Sequence, residues 1–231
     1  MLSINNLNQY YGESHTLWDV NIDIPEGSCI CLMGRNGVGK TTLLQSIMGL
    51  LPVESGQIIF DGTTISGKAA EARAKLGIGY VPQGRDIFGQ LTVEENLRVG
   101  LSVVGKKSAK IPQRIFDLFP VLKDMLHRRG GDLSGGQQQQ LAIGRALTLN
   151  PKILLLDEPT EGIQPNIVQQ IGDIIIKLNK EENITVLLVE QKLPFARRVG
   201  KNFIIMDRGR NVAQGAMTDL TEDLVQKYLT V

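Results

Sequence analysis

A glycine-rich segment, Gly34-Arg35-Asn36-Gly37-Val38-Gly39-Lys40-Thr41-Thr42, constrains the fold of this chain more than any other feature. A strand-like apolar run at residues 28–33 precedes it, and a helical pattern at residues 41–50 follows it. Glycines allow consecutive backbone N–H groups to curl around phosphate oxygens, and the start of a helix adds the positive end of its dipole. The spacing G-x-x-x-x-G-K-[ST] therefore predicts a phosphate-binding loop, with Lys40 directed at the β- and γ-phosphates and Thr41 at Mg²⁺.

The order of strand and helix patterns along the chain predicts an α/β fold. Alternating residues and a Pro25-Glu26-Gly27 turn in the first third predict antiparallel strands, whereas continuous apolar runs at 152–156, 185–189 and 203–206, with a helix at 167–179, predict parallel ones. Residues 84–145 change to helical patterning, with candidate helices at 91–101, 111–119 and 137–147.

We therefore predict one domain over residues 1–231. It would combine a RecA-like P-loop NTPase core, with a mainly parallel sheet, and an N-terminal antiparallel β subdomain. Both would come from about residues 1–83 and 146–231, interrupted by an α-helical subdomain at about residues 84–145.

Composition limits the partners of the chain. Lys plus Arg number 25 and Asp plus Glu number 24, so the formal charge of +1 argues against a protein that coats nucleic acid. We find no secretory signal, and the longest apolar runs are far shorter than the roughly 20 residues that span a bilayer. We expect a cytoplasmic protein that reaches a membrane only through a partner. Cys29 and Cys31 are expected to be small apolar fillers on opposite faces of a strand, not a disulfide or a metal pair.

A second motif, Ile153-Leu154-Leu155-Leu156-Asp157-Glu158, is an apolar strand that ends in two carboxylates. Asp157 suits Mg²⁺, usually through water, because this cation prefers oxygen ligands and keeps part of its hydration shell. Glu158 would project further and polarise a water for attack on the γ-phosphate. The alternative is a solvated acidic strand end before Pro159. With the glycine-rich loop, this motif predicts an ATPase or a GTPase.

A third motif, Leu133-Ser134-Gly135-Gly136-Gln137, predicts a second anion-binding site. Ser134 can cap a helix whose first residues are two adjacent glycines, which leaves backbone N–H groups free for phosphate oxygens. One nucleotide does not need two such sites in one chain. We therefore predict a head-to-tail dimer in which each of these loops covers the nucleotide held by the partner.

The motifs, in this order, resemble those of ATP-binding-cassette (ABC) ATPases over essentially the whole chain. The resemblance implies ATP and Mg²⁺ as cofactors and residues 133–137 as the signature loop. It also implies that Tyr11 stacks on adenine and that Gln83 contacts Mg²⁺ and the attacking water and senses a membrane subunit. A surface aromatic and an ordinary turn residue remain the alternatives for Tyr11 and Gln83.

Two positions depart from the usual family pattern. Gln164 stands where the family has an aspartate, and Gln191 stands where a switch histidine should follow the strand at 185–189. We expect His15 and His127 to be surface residues that cannot replace it. Gln191 can donate a neutral hydrogen bond to the γ-phosphate, but it cannot titrate.

The residues at these two positions resemble those of one branch of the family. Glu190-Gln191, the loop 161–165 and the segment 80–85 are similar to ATP-binding subunits for uptake of hydrophobic amino acids. Within that branch, the segments 128–132 and 137–140 and the loop 162–165 are most similar to urea and short-amide importers. Branched-chain amino acid importers are the alternative. The implied partners are membrane permeases, a second copy or a related ABC ATPase, and indirectly a solute-binding protein.

Two rival functions remain. A soluble ABC ATPase of translation or DNA repair usually carries two cassettes or a long coiled coil, and neither is found in this sequence. A binding-only cassette typically lacks one of three residues that this chain retains, Lys40, Glu158 and Ser134.

Overall fold

The structure, a computed structural model, describes residues 1–103, 105 and 110–230. The strands among these residues are β1 Leu2–Tyr11, β2 Ser14–Ile24, β3 Cys29–Met33, β4 Ser55–Phe60, β5 Thr63–Thr64, β6 Ile78–Val81, β7 Ile153–Asp157, β8 Thr185–Val189, β9 Asn202–Asp207 and β10 Arg210–Ala216. The helices are α1 Lys40–Met48, α2 Ala70–Lys75, α3 Val93–Val103, α4 Gln113–Leu118, α5 Pro120–Asp124, α6 Gly135–Leu147, α7 Pro165–Glu181, α8 Leu193–Val199 and α9 Glu222–Tyr228.

The strands form two sheets. A six-stranded sheet has the order β10-β9-β3-β8-β7-β6 and is parallel except for β10, and a four-stranded antiparallel sheet has the order β2-β1-β4-β5. The predicted α/β fold with a mainly parallel core sheet and an antiparallel N-terminal sheet is confirmed. Because parallel strands end at one edge, the residues that follow β3, β7 and β8 meet there.

The six-stranded sheet is the middle layer of the core. Every residue of β7 and β8 is buried. Along β7, Leu154 and Leu156 pack in a core cluster with the helices, while Ile153 and Leu155 pack in a second cluster with α1 and the antiparallel sheet. Burial on both faces explains why these strands are continuously apolar instead of alternating.

The two cysteines of β3 correct one expectation. Cys29 and Cys31 are both buried in the cluster on the helical side of the sheet. The expectation that they point to opposite faces was wrong, because residues two apart in a strand share one face. Burial raises the pKa of the Cys29 thiol to about 11, which fits an apolar filler.

The helices α3 to α6 all lie between β6 and β7 in the chain. They fall in the range predicted to be helical, about 84–145, except that α6 continues to Leu147. Helix α3 packs against α6, and α5 packs against both α4 and α6. Residues 104 and 106–109 of the predicted helical subdomain lie outside the described residues. The division into subdomains remains a prediction. No helix in the described part of the chain is long and apolar enough to cross a bilayer.

Candidate nucleotide-binding site

A cavity of about 890 Å³ opens where the loops after β3, β7 and β8 meet the start of α1. Many residues predicted from separate motifs line it together: Tyr11, Asn36, Gly37, Gly39, Lys40, Thr41, Thr42, Gln83, Glu158 and Gln191. Residues far apart in sequence therefore share one site, because the carboxyl ends of parallel strands lie at one edge of the sheet.

The glycine-rich loop is shaped by positive backbone φ angles and by close packing. Gly34 has φ 144° and Gly39 has φ 103°. A Cβ on Gly34 would lie 2.3 Å from the carbonyl oxygen of Met206, so no other residue fits there without displacing β9. Gly34, Arg35 and Val38 do not line the cavity, and Val38 is buried in the core beside α1. Gly34 and Val38 hold the loop in shape by close packing, whereas Arg35 is exposed.

Lys40 lies at the start of α1 with its side chain folded back over the loop. Its Nζ donates to the carbonyl oxygens of Gly34 at 2.8 Å and Arg35 at 2.7 Å. Burial lowers the pKa of the ammonium, while the negative charges of Glu158 and Asp157 act in the opposite direction. The charge of Lys40 is thus held at the phosphate end of the cavity.

Asp157, the last residue of β7, is 1% exposed. Among the described residues, none donates a hydrogen bond to either of its carboxylate oxygens. Desolvation raises its pKa to about 6 and the negative charge of Glu158 adds to this, while the nearby Thr41 hydroxyl and Lys40 act in the opposite direction. A buried carboxylate without a donor fits a cation ligand, because a hard cation would compensate for the lost hydration.

Glu158 and Gln191 meet at the mouth of the cavity from two neighbouring strands. The Gln191 side-chain amide donates to a carboxylate oxygen of Glu158 and, at 2.7 Å, to Oδ1 of Asn36 in the glycine-rich loop. Asp157 pairs with Val189 across β7 and β8, so the residues that follow the two strands begin side by side. An amide donor and a carboxylate acceptor are therefore adjacent beside the phosphate loop.

Tyr11 and Gln83 both line the cavity. Tyr11 is 47% exposed, and its hydroxyl lies 3.5 Å from Oγ1 of Thr42. Gln83 follows β6, and its amide donates to Oε2 of Glu161 at 2.9 Å. The exposed ring of Tyr11 can stack on a base, whereas Gln83 would have to leave Glu161 to reach a cation.

The predicted signature loop is separate from this cavity. Ser134 is exposed and caps α6: its Oγ accepts from the Gln137 N–H at 3.4 Å, and Gln137 Oε1 accepts from the Ser134 N–H at 2.9 Å. Neither these residues nor Gly135 and Gly136 line the cavity. The geometry of one chain therefore does not bring residues 134–137 to the nucleotide site of the same chain.

Neither of the two histidines nor Gln164 is among the residues that line the cavity. His15 is partly buried and stacks between Tyr10 and Trp18, with ring centroids 4.0 Å and 3.5 Å apart. His127 is exposed, as expected. Gln164 is exposed at the start of α7 and does not line the cavity.

Sequence reasoning missed several residues that line the same cavity: Thr16, Gln45, Thr160, Glu161, Gly162, Glu190 and Lys192. Glu190 is buried, although it is charged and follows four consecutive apolar residues at 186–189. A carboxylate in that position is the one signal that could have identified it.

Comparisons with known proteins agree with this geometry. Residues 17–161 match the ABC transporter family, and the chain belongs to that family. It is 41% identical over 213 residues to the high-affinity branched-chain amino acid transport ATP-binding protein BraG of Pseudomonas aeruginosa, covering 92% of this chain and 91% of BraG. It is also 41% identical over 225 residues to the probable branched-chain amino acid transport ATP-binding protein LivF of Archaeoglobus fulgidus, covering 96% of this chain and 94% of LivF.

A solved structure of the ATP-binding cassette MJ0796, described as the dimeric post-hydrolysis state bound to ADP and Pi, matches with a TM-score of 0.84 at 28% identity. The match covers 94% of this chain and 99% of that one. The chain is thus an ATP-binding, ATP-hydrolysing subunit of an ABC importer, as predicted. The resemblance to urea importers is not confirmed, since BraG and LivF are named for branched-chain amino acid transport.

Proposed function

We propose that this chain energises the uptake of branched-chain amino acids. Its 41% identity to BraG and LivF, which extends over more than nine-tenths of each chain, is the observation that carries the proposal. Urea uptake, which the segments 128–132 and 137–140 and the loop 162–165 suggested, has no comparable support.

Within the cavity, we propose that the adenine of ATP stacks on Tyr11 and that the phosphates lie in the loop formed by residues 34–42. Lys40 would exchange the carbonyls of Gly34 and Arg35 for phosphate oxygens, which are stronger acceptors for an ammonium. Lys40 itself lines the cavity, which supports this exchange.

We propose that Thr41, Gln83 and Asp157 hold Mg²⁺. When bound, Mg²⁺ neutralises charge that develops on the β- and γ-phosphates. No group of three His, Cys, Asp or Glu side chains in the described part of the chain could hold a metal alone. This agrees with an ion that takes one carboxylate and completes its shell with phosphate and water.

For hydrolysis, we propose that Glu158 orients and polarises the attacking water and that Gln191 donates its amide to the γ-phosphate. The hydrogen bond between the two side chains supports these roles, because a water between Glu158 and a phosphate held by Lys40 would lie within reach of Gln191.

Residues 134–137, of which Ser134 is exposed and the other three are partly buried, would complete the site of a second cassette. We propose a head-to-tail dimer, either of two copies or with a related ABC ATPase, that docks on membrane permeases at the inner face of the membrane. A solute-binding protein would act on the outer side. The dimeric state of MJ0796 supports this assembly, as do the N–H groups at the exposed start of α6.

An uptake assay tests the transported solute. In cells of the source organism that lack this chain, we expect uptake of labelled leucine and valine to fall and urea uptake to be unchanged. The parent chain should restore leucine uptake, whereas Lys40→Ala, made to the same level, should not. Loss of urea uptake with normal leucine uptake would reverse the assignment.

A further inference from the structure

Glu190 is a buried carboxylate between the strand β8 and the loop that carries Gln191. It is 2% exposed. Its Oε1 accepts hydrogen bonds from the backbone N–H groups of Gln191 at 2.8 Å and Lys192 at 2.9 Å, and its Oε2 accepts from the Thr160 hydroxyl at 2.7 Å. One side chain thus connects its own loop to the segment that follows β7.

Thr160 is the other half of this connection. It is 1% exposed and lies two residues after Glu158. Its carbonyl oxygen accepts from Nζ of Lys192 at 2.9 Å, so the two segments are joined in both directions. The backbone N–H of Glu158 also donates to the Val189 carbonyl at 3.0 Å. These three hydrogen bonds, together with the one from Gln191 to Glu158, define the relative position of the two segments.

The burial of the Glu190 carboxylate means that its hydrogen bonds must be kept. Removing a carboxylate from water is unfavourable unless donors replace the water, and here two backbone amides and one hydroxyl do so. Hydrogen bonds to a charged acceptor are shorter and about twice as strong as neutral ones. A role confined to the start of α8 would need only the Gln191 and Lys192 amides, so the Thr160 bond points to a function between the loops.

We propose that Glu190 is a positioning residue for ATP hydrolysis, which holds the Gln191 amide against the Glu158 carboxylate at the phosphate end of the cavity. This inference rests on the proposed roles of Glu158 and Gln191. Glu190 lines the cavity but is only 2% exposed, and both of its carboxylate oxygens accept hydrogen bonds from the protein. It therefore acts by fixing the backbone of Gln191 relative to the loop that bears Glu158.

Three variants test the proposal by steady-state ATPase kinetics and by the affinity for a fluorescent ATP analogue. In Glu190→Ala all three bonds are lost, so kcat should fall about tenfold or more while the nucleotide affinity stays within about twofold. In Glu190→Gln the side-chain oxygen still accepts from both amides and the new amide can donate to Thr160, so most of the turnover should return. Thr160→Val removes one bond and should give an intermediate loss.

Thr185→Val is the matched control. Thr185 is also buried, and its hydroxyl accepts from the Gly27 N–H at 2.9 Å, but it lies at the opposite end of β8 from Gln191. This variant should lose stability comparably to Thr160→Val and keep its kcat. Equal loss of kcat in both threonine variants would mean that the effect of Thr160 is general destabilisation, and would overturn the proposal.

A double variant shows whether Glu190 acts through Gln191. Once Gln191→Ala has removed the amide, adding Glu190→Ala should lower kcat little further. If the fold-losses in kcat of the two single variants multiply in the double variant, the inference is overturned. An unchanged kcat in Glu190→Ala would also overturn it. If Glu190→Ala does not fold, the other two variants still test the inference. Loss of turnover in Glu190→Gln would contradict the inference, and so would normal turnover in Thr160→Val. An inactive parent chain would instead contradict the proposed function.

Discussion

Replacing Asp157 with asparagine should stabilise this chain without metal and impair its hydrolysis of ATP. The carboxylate is 1% exposed and, among the described residues, has no hydrogen-bond donor. An uncompensated buried charge destabilises a folded protein, and asparagine has nearly the same shape without the charge. If the carboxylate instead holds a cation during catalysis, the same change should lower hydrolysis by about a hundredfold or more.

The size and pH dependence of the gain follow from the pKa of Asp157. Burial raises this pKa from 3.8 to about 6, so the folded chain binds a proton more tightly than the unfolded chain does. The free energy of unfolding should therefore fall as the pH rises from about 4 to 6, by about 3 kcal/mol in total. Because the asparagine amide would itself leave donors unpaired, we expect a net gain of about 1–3 kcal/mol at pH 7.5, which shrinks towards pH 4.

Urea unfolding followed by circular dichroism, in buffer with EDTA, measures this gain at pH 7.5 and at pH 4.5. Asp207→Asn is the control, since Asp207 ends the parallel strand β9 at the same edge but is only partly buried. It should change the free energy of unfolding by less than about 0.5 kcal/mol. The reasoning is refuted if the Asp157→Asn variant is less stable than the parent at pH 7.5. It is also refuted if the gain in the free energy of unfolding is the same at both pH values.

Three further changes test the remaining groups. Glu158→Gln should preserve ATP binding and lower turnover by about a hundredfold or more, with a nucleotide-bound dimer accumulating in gel filtration; normal turnover would contradict the role of Glu158. Ser134→Arg should leave the ATP affinity of the monomer unchanged and abolish ATP-induced dimerisation, whereas weaker monomer binding would place residues 134–137 at their own nucleotide. Gln191→Ala should lower hydrolysis about tenfold or more, and Gln191→His should retain activity and acquire a pH dependence between about pH 6 and 8. A flat pH profile for the histidine variant would argue against a γ-phosphate contact.

The buried strands and the longest helices could be predicted because their signals are local. The run at 185–189 coincides with β8, and the predicted helix at 167–179 lies within α7, because continuous apolar residues and helical periodicity survive in any tertiary context. The short helices α2, α8 and α9 were missed. Each has six or seven residues, too few for a periodic pattern, and is stabilised by packing on the core.

The site was predictable where a motif carries its chemistry in consecutive residues, and not where the chemistry arises from tertiary contacts. The loop 34–42 and the pair Asp157 and Glu158 are contiguous in sequence. The Thr160–Glu190 hydrogen bond joins residues thirty positions apart, and nothing in either local sequence indicates it. The pairing of Gln83 with Glu161 has the same origin, since their strands, β6 and β7, are neighbours only in the sheet.

The backbone at Glu158 shows how the end of a buried strand becomes a reactive position. Glu158 has φ 47°, in the left-handed region that non-glycine residues occupy at some cost in energy. This turn occurs directly after the fully buried β7, and the N–H of Glu158 is bonded to Val189 of the neighbouring strand. The strand thus stays paired up to its last residue, and the chain then turns sharply enough to direct the next carboxylate to Gln191 instead of continuing the sheet. Glycine at this position would relieve the backbone strain but would remove the carboxylate. The chain therefore keeps a strained backbone at Glu158, because the carboxylate requires a side chain there.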